Sequence, residues 1–109
     1  MLEYVYRYNL KVDMVEAYRD WVVANDTALR DHQPPGWAYL GTWFSVRSFG
    51  EFHCESRFQL DGYEALGAGF GDAETQRTSS EFSEYVDWTN KPRAVVYRAA
   101  VDVVIPQGM

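Results

Sequence analysis

The sequence of 109 residues has one cysteine, Cys54, and so cannot close a disulfide within the chain. It is also poor in basic side chains, because 10 Lys and Arg against 16 Asp and Glu give a net charge of −6. An acidic protein without a basic run repels a phosphate backbone, which argues against nucleic acid as a partner. Long apolar runs are missing too, since stretches such as residues 103–105 are far shorter than the roughly 20 residues of a membrane-spanning helix.

These absences predict a soluble, cytoplasmic protein of one domain. Residues 1–3 show neither the basic segment nor the apolar segment that opens a secretory leader. A lone cysteine fits a reducing compartment. The length is below the roughly 150 residues usual for a domain, so we expect a single domain over residues 1–109.

Aromatic side chains, in contrast, are abundant. The 8 Tyr, 4 Trp and 6 Phe amount to 17% of the chain, which is more than one small core is expected to hide. We therefore expect some of them at a surface that meets a partner or lines a ligand site.

The first half of the chain predicts a β-α-β order. Over residues 3–10 the tyrosines recur at every second position, with Arg7 and Asn9 on the opposite face, as the period of a strand requires. An Asp-x-x-Glu capping pattern at Asp13 predicts a helix that runs to about residue 31. The proline-rich cluster at residues 33–36 ends this helix, and the aromatic and β-branched stretch 37–46 predicts a second strand.

The second half opens with an alternating run over residues 51–60, which predicts a third strand. A turn over residues 47–50 makes a hairpin of the second and third strands. Asp61 begins another Asp-x-x-Glu pattern and another predicted helix. Three glycines within residues 67–71 interrupt that helix, and we interpret them as a hinge or kink.

The helix restarts at Asp72 and continues to about residue 88, and residues 94–104 predict a fourth strand. With right-handed crossovers in both halves, this order produces a split β-α-β arrangement. The arrangement is a four-stranded antiparallel sheet with two helices on one face. The other face is uncovered, and a second copy of the chain is the simplest cover, because a two-fold interface needs only one patch.

The sequence resembles the dimeric α+β barrel superfamily, in particular its NIPSNAP-like branch, from residue 4 to residue 104. The resemblance rests on the element order, on GWAYLGTW at residues 36–43 and on ESRFQLDGY at residues 55–63. It implies a ferredoxin-like fold of the α+β class that pairs into a barrel whose interior holds a small, often aromatic molecule. Members include cofactor-free monooxygenases, isomerases, haem-dependent enzymes and proteins of no known activity, so the fold alone selects no function.

Charged side chains on the uncovered face form the first candidate site. Three of them, His53, Glu55 and Arg57, alternate along the third strand and therefore share this face. Arg7 and Arg98 are expected neighbours. His53 would act as a general base oriented by Glu55, while the arginines meet an anionic or carbonyl group. Because buried charge must be paired, a structural network in which Glu55 binds an arginine, without any ligand, is an equally open interpretation.

Aromatic residues of the second strand extend this candidate site. Trp37, Tyr39 and Trp43 are predicted to share one face, where they line a pocket or form the seam of the dimer. Tyr39 and Trp43 are the expected ligand contacts.

We expect no metal and no cofactor. His53 and Glu55 have a spacing that could share a metal, but no third ligand is visible near them. Cys54 lies on the opposite strand face from His53 and is interpreted as a small core residue. His32, beside the prolines, is expected to cap the helix end or to lie in solvent.

Two functions remain open. In the first, a homodimeric barrel binds a small apolar or aromatic molecule, and as a cofactor-free enzyme of the monooxygenase or isomerase type it transforms that molecule. In the second, the homodimer is non-catalytic and has a structural or protein-interaction role. An open cavity of about 300 Å³ or more would favour the first, and an interior filled by side chains the second.

Overall fold

The computed structural model describes residues 2–46 and 52–104, which form a four-stranded antiparallel sheet packed against two α-helices. The strands are β1 Leu2–Tyr8, β2 Trp37–Phe44, β3 Cys54–Leu60 and β4 Arg93–Arg98. The helices are α1 Val15–Asp31 and α2 Ala73–Ser83, with 3₁₀ turns at Tyr63–Gly67 and Ala100–Asp102. The strand order β2-β3-β1-β4 is the predicted split β-α-β arrangement, with β1 and β3 in the centre.

The pairing register decides which side chains share a face of the sheet. Tyr8 of β1 lies opposite Cys54 of β3, and the Tyr8 ring contacts Tyr18 of α1 and Phe82 of α2. Because side chains alternate along a strand, the even-numbered residues of β1 lie on this side, which we call the helix face. The odd-numbered residues of β1, Arg7 among them, lie on the other side, which we call the open face.

A β-bulge in β2 exchanges the two faces within one strand. Tyr39 and Gly41 pair with consecutive residues of β3, so Leu40 is an extra residue. Gly41 has φ 140°, which glycine adopts without steric cost. Trp37 and Tyr39 therefore lie on the helix face and Trp43 on the open face, so the prediction that all three share one face is wrong.

The core lies between the helix face and the helices. One cluster of buried side chains consists of Tyr8, Leu10, Tyr18, Cys54 and Val86, and a second consists of Leu2, Leu60 and Ala65. Burial raises the pKa of the Cys54 thiol to about 12, so the thiol stays protonated and behaves as a core residue, as predicted.

The start of α1 differs from the prediction. Asp13 adopts a left-handed backbone with φ 63°, and the helix begins after Met14 without a side-chain cap. The predicted capping box is therefore wrong. The predicted helix after Asp61 is only a 3₁₀ turn, which ends at Gly67.

The start of α2 agrees with the prediction, since the Asp72 carboxylate accepts a hydrogen bond from the Thr75 N–H at 2.8 Å. Strands and helices end earlier than predicted in the second half: α2 ends at Ser83 and β4 at Arg98. The predicted turn at residues 47–50 lies outside the described residues. No helix within residues 2–46 and 52–104 has the length and apolarity needed to cross a membrane.

Candidate functional site

A cavity of about 440 Å³, which we call the interlayer cavity, lies between the helix face of the sheet and the two helices. Aromatic side chains make up half of the 20 described residues that line it: Tyr4, Tyr6, Tyr18, Trp21, Trp37, Tyr39, Phe58, Phe70, Phe82 and Trp88. The other described residues that line it are apolar, amide or hydroxyl side chains, and none of them carries a charge. Its volume lies in the range of small-molecule pockets, and its wall suits a flat, mostly apolar molecule.

The aromatic wall is held in place by ring contacts and by polar anchors. The rings of Tyr4 and Trp37 meet edge to face with centroids 4.9 Å apart. The indole N–H of Trp37 donates to the Ala65 carbonyl at 2.7 Å, and that of Trp21 donates to the Glu81 carboxylate at 2.9 Å. Because both indoles are fixed at their polar edge, the cavity wall is preformed.

Five hydroxyl groups form a continuous row beside the cavity, which we call the hydroxyl chain. Its members, in order, are Tyr18, Tyr8, Ser56, Thr42 and Tyr39. The successive oxygen–oxygen distances are 2.5, 2.8, 3.1 and 2.6 Å. All members except Tyr8 line the cavity, so the hydroxyl chain supplies polar atoms to an otherwise apolar wall.

The phenols of the hydroxyl chain are neutral at physiological pH. Burial is the main cause that raises the pKa of Tyr8, Tyr18 and Tyr39 above the ordinary tyrosine value. These groups therefore act as hydrogen-bond donors and acceptors and do not serve as bases.

His32 and Asp72 meet at one end of the cavity, where α1 ends and α2 begins. The His32 Nδ1 atom lies 2.9 Å from an Asp72 carboxylate oxygen. This hydrogen bond raises the pKa of His32, and together with the backbone and side-chain hydrogen bonds from Thr75 it lowers the pKa of Asp72 to about 2. The backbone N–H of His32 also donates to the Ala28 carbonyl and caps α1. The contact thus joins two helix ends next to residues 33 and 34, which line the cavity.

The glycine-rich segment 67–71 separates the 3₁₀ turn from α2, so the predicted break between two helical pieces is confirmed. Ala68 and Phe70 of this segment line the cavity. A Cβ atom on Gly67 or Gly69 would meet nothing within 4 Å, so close packing does not require either glycine.

Three of the charged residues predicted as a site, Arg7, Glu55 and Arg57, form a network on the open face. The Arg7 Nε atom lies 3.4 Å from one carboxylate oxygen of Glu55, and the Arg57 Nε atom donates to the other at 3.0 Å. Arg7 also donates to the Tyr97 hydroxyl at 3.1 Å, and the Arg57 guanidinium lies 4.8 Å from the centre of the Trp43 ring. Both oxygens of the carboxylate are occupied, as the structural interpretation expects.

His53 is close to this network but not bonded to it. The side chain is exposed and lines a depression of about 380 Å³ together with Arg7, Trp43 and Glu55. The backbone N–H of His53 donates to the Asn9 side-chain oxygen at 2.8 Å. Within the described part of the chain, no hydrogen bond joins the His53 ring to Glu55, so the expected orienting contact is not formed. The role of His53 as a general base stays a prediction.

Tyr39 and Arg98 lie away from the charged network. Tyr39 lines the interlayer cavity as a member of the hydroxyl chain. Arg98 pairs in register with Leu2, so it lies on the helix-face side, where its guanidinium is 5.5 Å from the centre of the Tyr63 ring. The expectation that Arg98 joins the other two arginines is wrong, because the strand register places it on the opposite face.

Sequence reasoning missed the hydroxyl chain because its members come from four elements, β1, α1, β2 and β3. One signal was available. Ser56 alternates with apolar residues on the predicted core face of the third strand, and a buried hydroxyl requires a partner. Among the described residues, no group of three or more His, Cys, Asp or Glu side chains could hold a metal ion.

Solved structures share this architecture over nearly the whole chain. An uncharacterised NIPSNAP domain protein from Burkholderia xenovorans superposes with a TM-score of 0.66 at 13% identity, covering 96% of this chain and 100% of that one. HapK from Hahella chejuensis gives a TM-score of 0.66 at 13% identity, with coverages of 97% and 99%. A dimeric protein of unknown function with a ferredoxin-like fold, from Bacteroides fragilis, gives 0.56 at 11% identity, with coverages of 88% and 93%. The fold is ferredoxin-like.

This ferredoxin-like fold confirms the predicted α+β class and the predicted likeness to NIPSNAP domain proteins. At these identities the likeness establishes the fold and leaves the activity open. No protein-family model matches the sequence, and a comparison with curated proteins finds no match either.

Proposed function

We propose that this ferredoxin-like protein binds a small, mostly apolar or aromatic molecule in the interlayer cavity. The observation that carries the proposal is the space of about 440 Å³ inside a wall of aromatic rings. The cavity opens to solvent, and its lining is mostly apolar with a few hydroxyl groups. A concave, largely apolar surface of this volume with a few polar atoms is the usual form of a small-molecule site.

The location differs from the one expected from the sequence. The cavity lies beneath the helices, whereas His53 and Glu55 do not line it. We further propose that the protein transforms the bound molecule by cofactor-free catalysis of the monooxygenase or isomerase type. In that case the neutral phenols would donate hydrogen bonds to an oxygen that gains negative charge during the reaction.

Neighbouring serines on α2 provide a test of the cavity. Ser79 lines it and Ser80 does not, so Ser79→Phe fills the space while Ser80→Phe adds the same ring to the exposed surface. We expect native mass spectrometry of protein from its own host to detect a retained small molecule in the wild type and in Ser80→Phe. We expect its loss in Ser79→Phe. Equal ligand content in the two variants, both folded, would overturn the proposal.

We also propose that the chain forms a homodimer through the open face, pairing into a dimeric α+β barrel. Trp43 and Tyr97 on this face are each 45% exposed. The two arginines beside them share Glu55, and Arg57 also lies 4.0 Å from a carboxylate oxygen of Glu3, so both arginines have anionic partners within the chain when a second copy covers the face. The Bacteroides fragilis protein of this fold is described as dimeric, which is compatible with the proposal.

Light scattering tests the dimer, for which we expect about twice 12.6 kDa. Trp43→Glu should shift the mass towards the monomer. Val23→Glu, on the outer surface of α1 where Val23 is 71% exposed, is the control and should leave the mass unchanged. A monodisperse wild-type monomer at micromolar concentration would contradict the proposal.

A non-catalytic homodimer with a structural or protein-interaction role is the second candidate function. The network of Arg7, Glu55 and Arg57 favours it for the open face, because both carboxylate oxygens are used within the chain. If the interlayer cavity holds no ligand in wild-type protein and the dimer forms, this candidate is preferred.

A further inference from the structure

We propose that the ligand of the interlayer cavity carries a neutral oxygen, either a carbonyl or a hydroxyl, and that the hydroxyl chain recognises this atom. The inference rests on the proposed function and specifies the polar end of the ligand. Three observations support it: the proton count of the hydroxyl chain, the position of Ser56, and the absence of charge among the described residues of the lining.

The hydroxyl chain has one more proton than it uses. Five hydroxyl groups supply five protons, whereas four hydrogen bonds join them. One proton therefore remains on one of the five oxygens. Every member except Tyr8 lines the cavity, so in nearly every arrangement that proton is available to a ligand oxygen.

Ser56 is the central oxygen of the hydroxyl chain. Tyr8 and Tyr18 lie on one side of it and Thr42 and Tyr39 on the other, and either oxygen of each of the four hydrogen bonds can be the donor. When both tyrosine ends donate inwards, the two arms end on the Ser56 oxygen and leave the Ser56 proton free for a ligand.

The burial of Ser56 strengthens a hydrogen bond from its hydroxyl to a ligand. Ser56 is 6% exposed and lies on β3, in the middle of the sheet. Bulk water competes little at such a position, and hydrogen bonds in a buried chain strengthen one another. A ligand oxygen placed against Ser56 therefore gains a hydrogen bond, while a hydrocarbon leaves the hydroxyl proton unsatisfied.

Three other hydroxyls of the cavity wall are already satisfied at α2. The Thr75 hydroxyl donates to the Asp72 carboxylate at 2.9 Å, and the Thr78 hydroxyl donates to the Glu74 carbonyl at 3.1 Å. The Ser83 hydroxyl donates to the Ser80 carbonyl at 2.7 Å. These protons are used within the helix, which distinguishes them from the spare proton of the hydroxyl chain.

The lining also restricts the charge of the ligand. None of the described residues that line the cavity is charged, and the nearby Asp72 and Glu81 carboxylates already accept hydrogen bonds from His32, Thr75, Trp21 and Arg77. A carboxylate or an ammonium group that enters the lining therefore loses hydration without gaining a direct counter-ion. The phenols remain protonated because burial raises their pKa, so they offer no anion to a cationic ligand. A neutral oxygen is the polar group that fits both conditions.

Isothermal titration calorimetry with three naphthalene probes tests the inference on the full chain. The probes are 2-acetylnaphthalene, its isostere 2-isopropenylnaphthalene, which has a CH₂ group in place of the oxygen, and 2-naphthoate. We expect Ser56→Ala to weaken the affinity for the ketone about tenfold, which corresponds to the loss of one hydrogen bond. The affinity for the alkene should stay within about twofold of the wild-type value. We expect naphthoate to bind at least tenfold more weakly than the ketone.

Two further variants keep the test decisive. Ser83→Ala removes another hydroxyl from the same wall and should leave the ratio of ketone to alkene affinity unchanged. Ser56→Cys retains most of the volume and replaces the hydroxyl by a weak donor, so it should reproduce the selective loss if Ser56→Ala folds poorly.

The possible results separate the two proposals. If none of the three probes binds wild-type protein, the proposed function fails and this inference fails with it. If the ketone and the alkene bind and both Ser56 variants leave their ratio unchanged, the cavity binds ligands but the inference is overturned. Binding of naphthoate as tight as that of the ketone would also overturn it.

Discussion

Polar groups on the helix face of the sheet are neutral hydroxyls in a row, whereas those on the open face are a carboxylate between two arginines. On the open face, Glu55 engages Arg7 and Arg57 with both of its oxygens. On the helix face, the hydroxyl chain leaves a proton unused beside an open space. The difference indicates that a fully paired ionic group stabilises a surface, while an incompletely used neutral one is suited to meet a ligand.

Tyr8→Ala, on the helix face, should cause the largest loss in the free energy of unfolding. Tyr8 is fully buried between the sheet and both helices, and its hydroxyl joins two other members of the hydroxyl chain. We expect a loss of about 3 to 5 kcal/mol in the free energy of unfolding, the usual cost of removing a buried aromatic ring. Urea denaturation followed by circular dichroism measures it. A loss no greater than that of Trp43→Ala would contradict the assignment of the core to the helix face.

Glu55→Gln tests the open face and should have a smaller effect. The variant leaves Arg7 and Arg57 without their shared anion, but these side chains are 39% and 41% exposed, so solvent screens them. We expect a loss of about 1 to 2 kcal/mol in the free energy of unfolding. The exposed Glu64→Gln is the control and should stay within about 0.5 kcal/mol of wild type. Equal effects of the two variants would show that the network contributes no stability.

His53→Ala tests which face of the sheet holds the ligand site. Because His53 is exposed and does not line the interlayer cavity, we expect unchanged ligand content and a melting temperature close to that of wild type. Native mass spectrometry and thermal denaturation of one preparation measure both quantities. Loss of the bound molecule in a folded variant would move the site to the open face and would support acid–base chemistry by His53.

The smallest expected effect is the pH dependence of the contact between His32 and Asp72. The pKa of His32 is raised above its ordinary 6.5. The stability that protonated His32 contributes is therefore fully present below pH 6.5 and is lost as the pH rises through the raised pKa. The pKa of Asp72 is lowered from 3.8 to about 2, so its share is present above 3.8 and is lost as the pH falls towards 2.

The melting-temperature difference between wild type and His32→Gln should therefore be largest between about pH 4 and pH 6.5. It should shrink on both the acid and the alkaline side of that window. A difference that does not change between pH 3 and pH 9 would show that the contact does not form in solution.

The features that local patterns encode could be predicted from the sequence. Alternation in the first and third strands predicted which side chains share a face, and therefore the pairing of Glu55 with arginines. The Asp72 cap followed from its spacing to the helix that it starts. These features depend on residues close together in the chain or in adjacent central strands.

The features that depend on a single backbone irregularity could not be predicted. One extra residue, Leu40, reverses the side on which Trp43 lies. Gly41 inside the strand is compatible with a bulge, but a glycine alone does not fix where the extra residue lies. The left-handed backbone of Asp13 removed a cap that its side chain could have supplied. The hydroxyl chain required the tertiary arrangement of four elements before its members became neighbours.

The bulge in β2 has an optical consequence. Of the 4 tryptophans, Trp21, Trp37 and Trp88 line the interlayer cavity, and Trp43 lies on the open face under the Arg57 guanidinium. Intrinsic fluorescence therefore contains two independent signals, one from the three indoles that surround a ligand and one from the indole at the dimer face. A Trp43→Phe variant isolates the first signal, so ligand entry and subunit association could be followed separately in the same unlabelled protein.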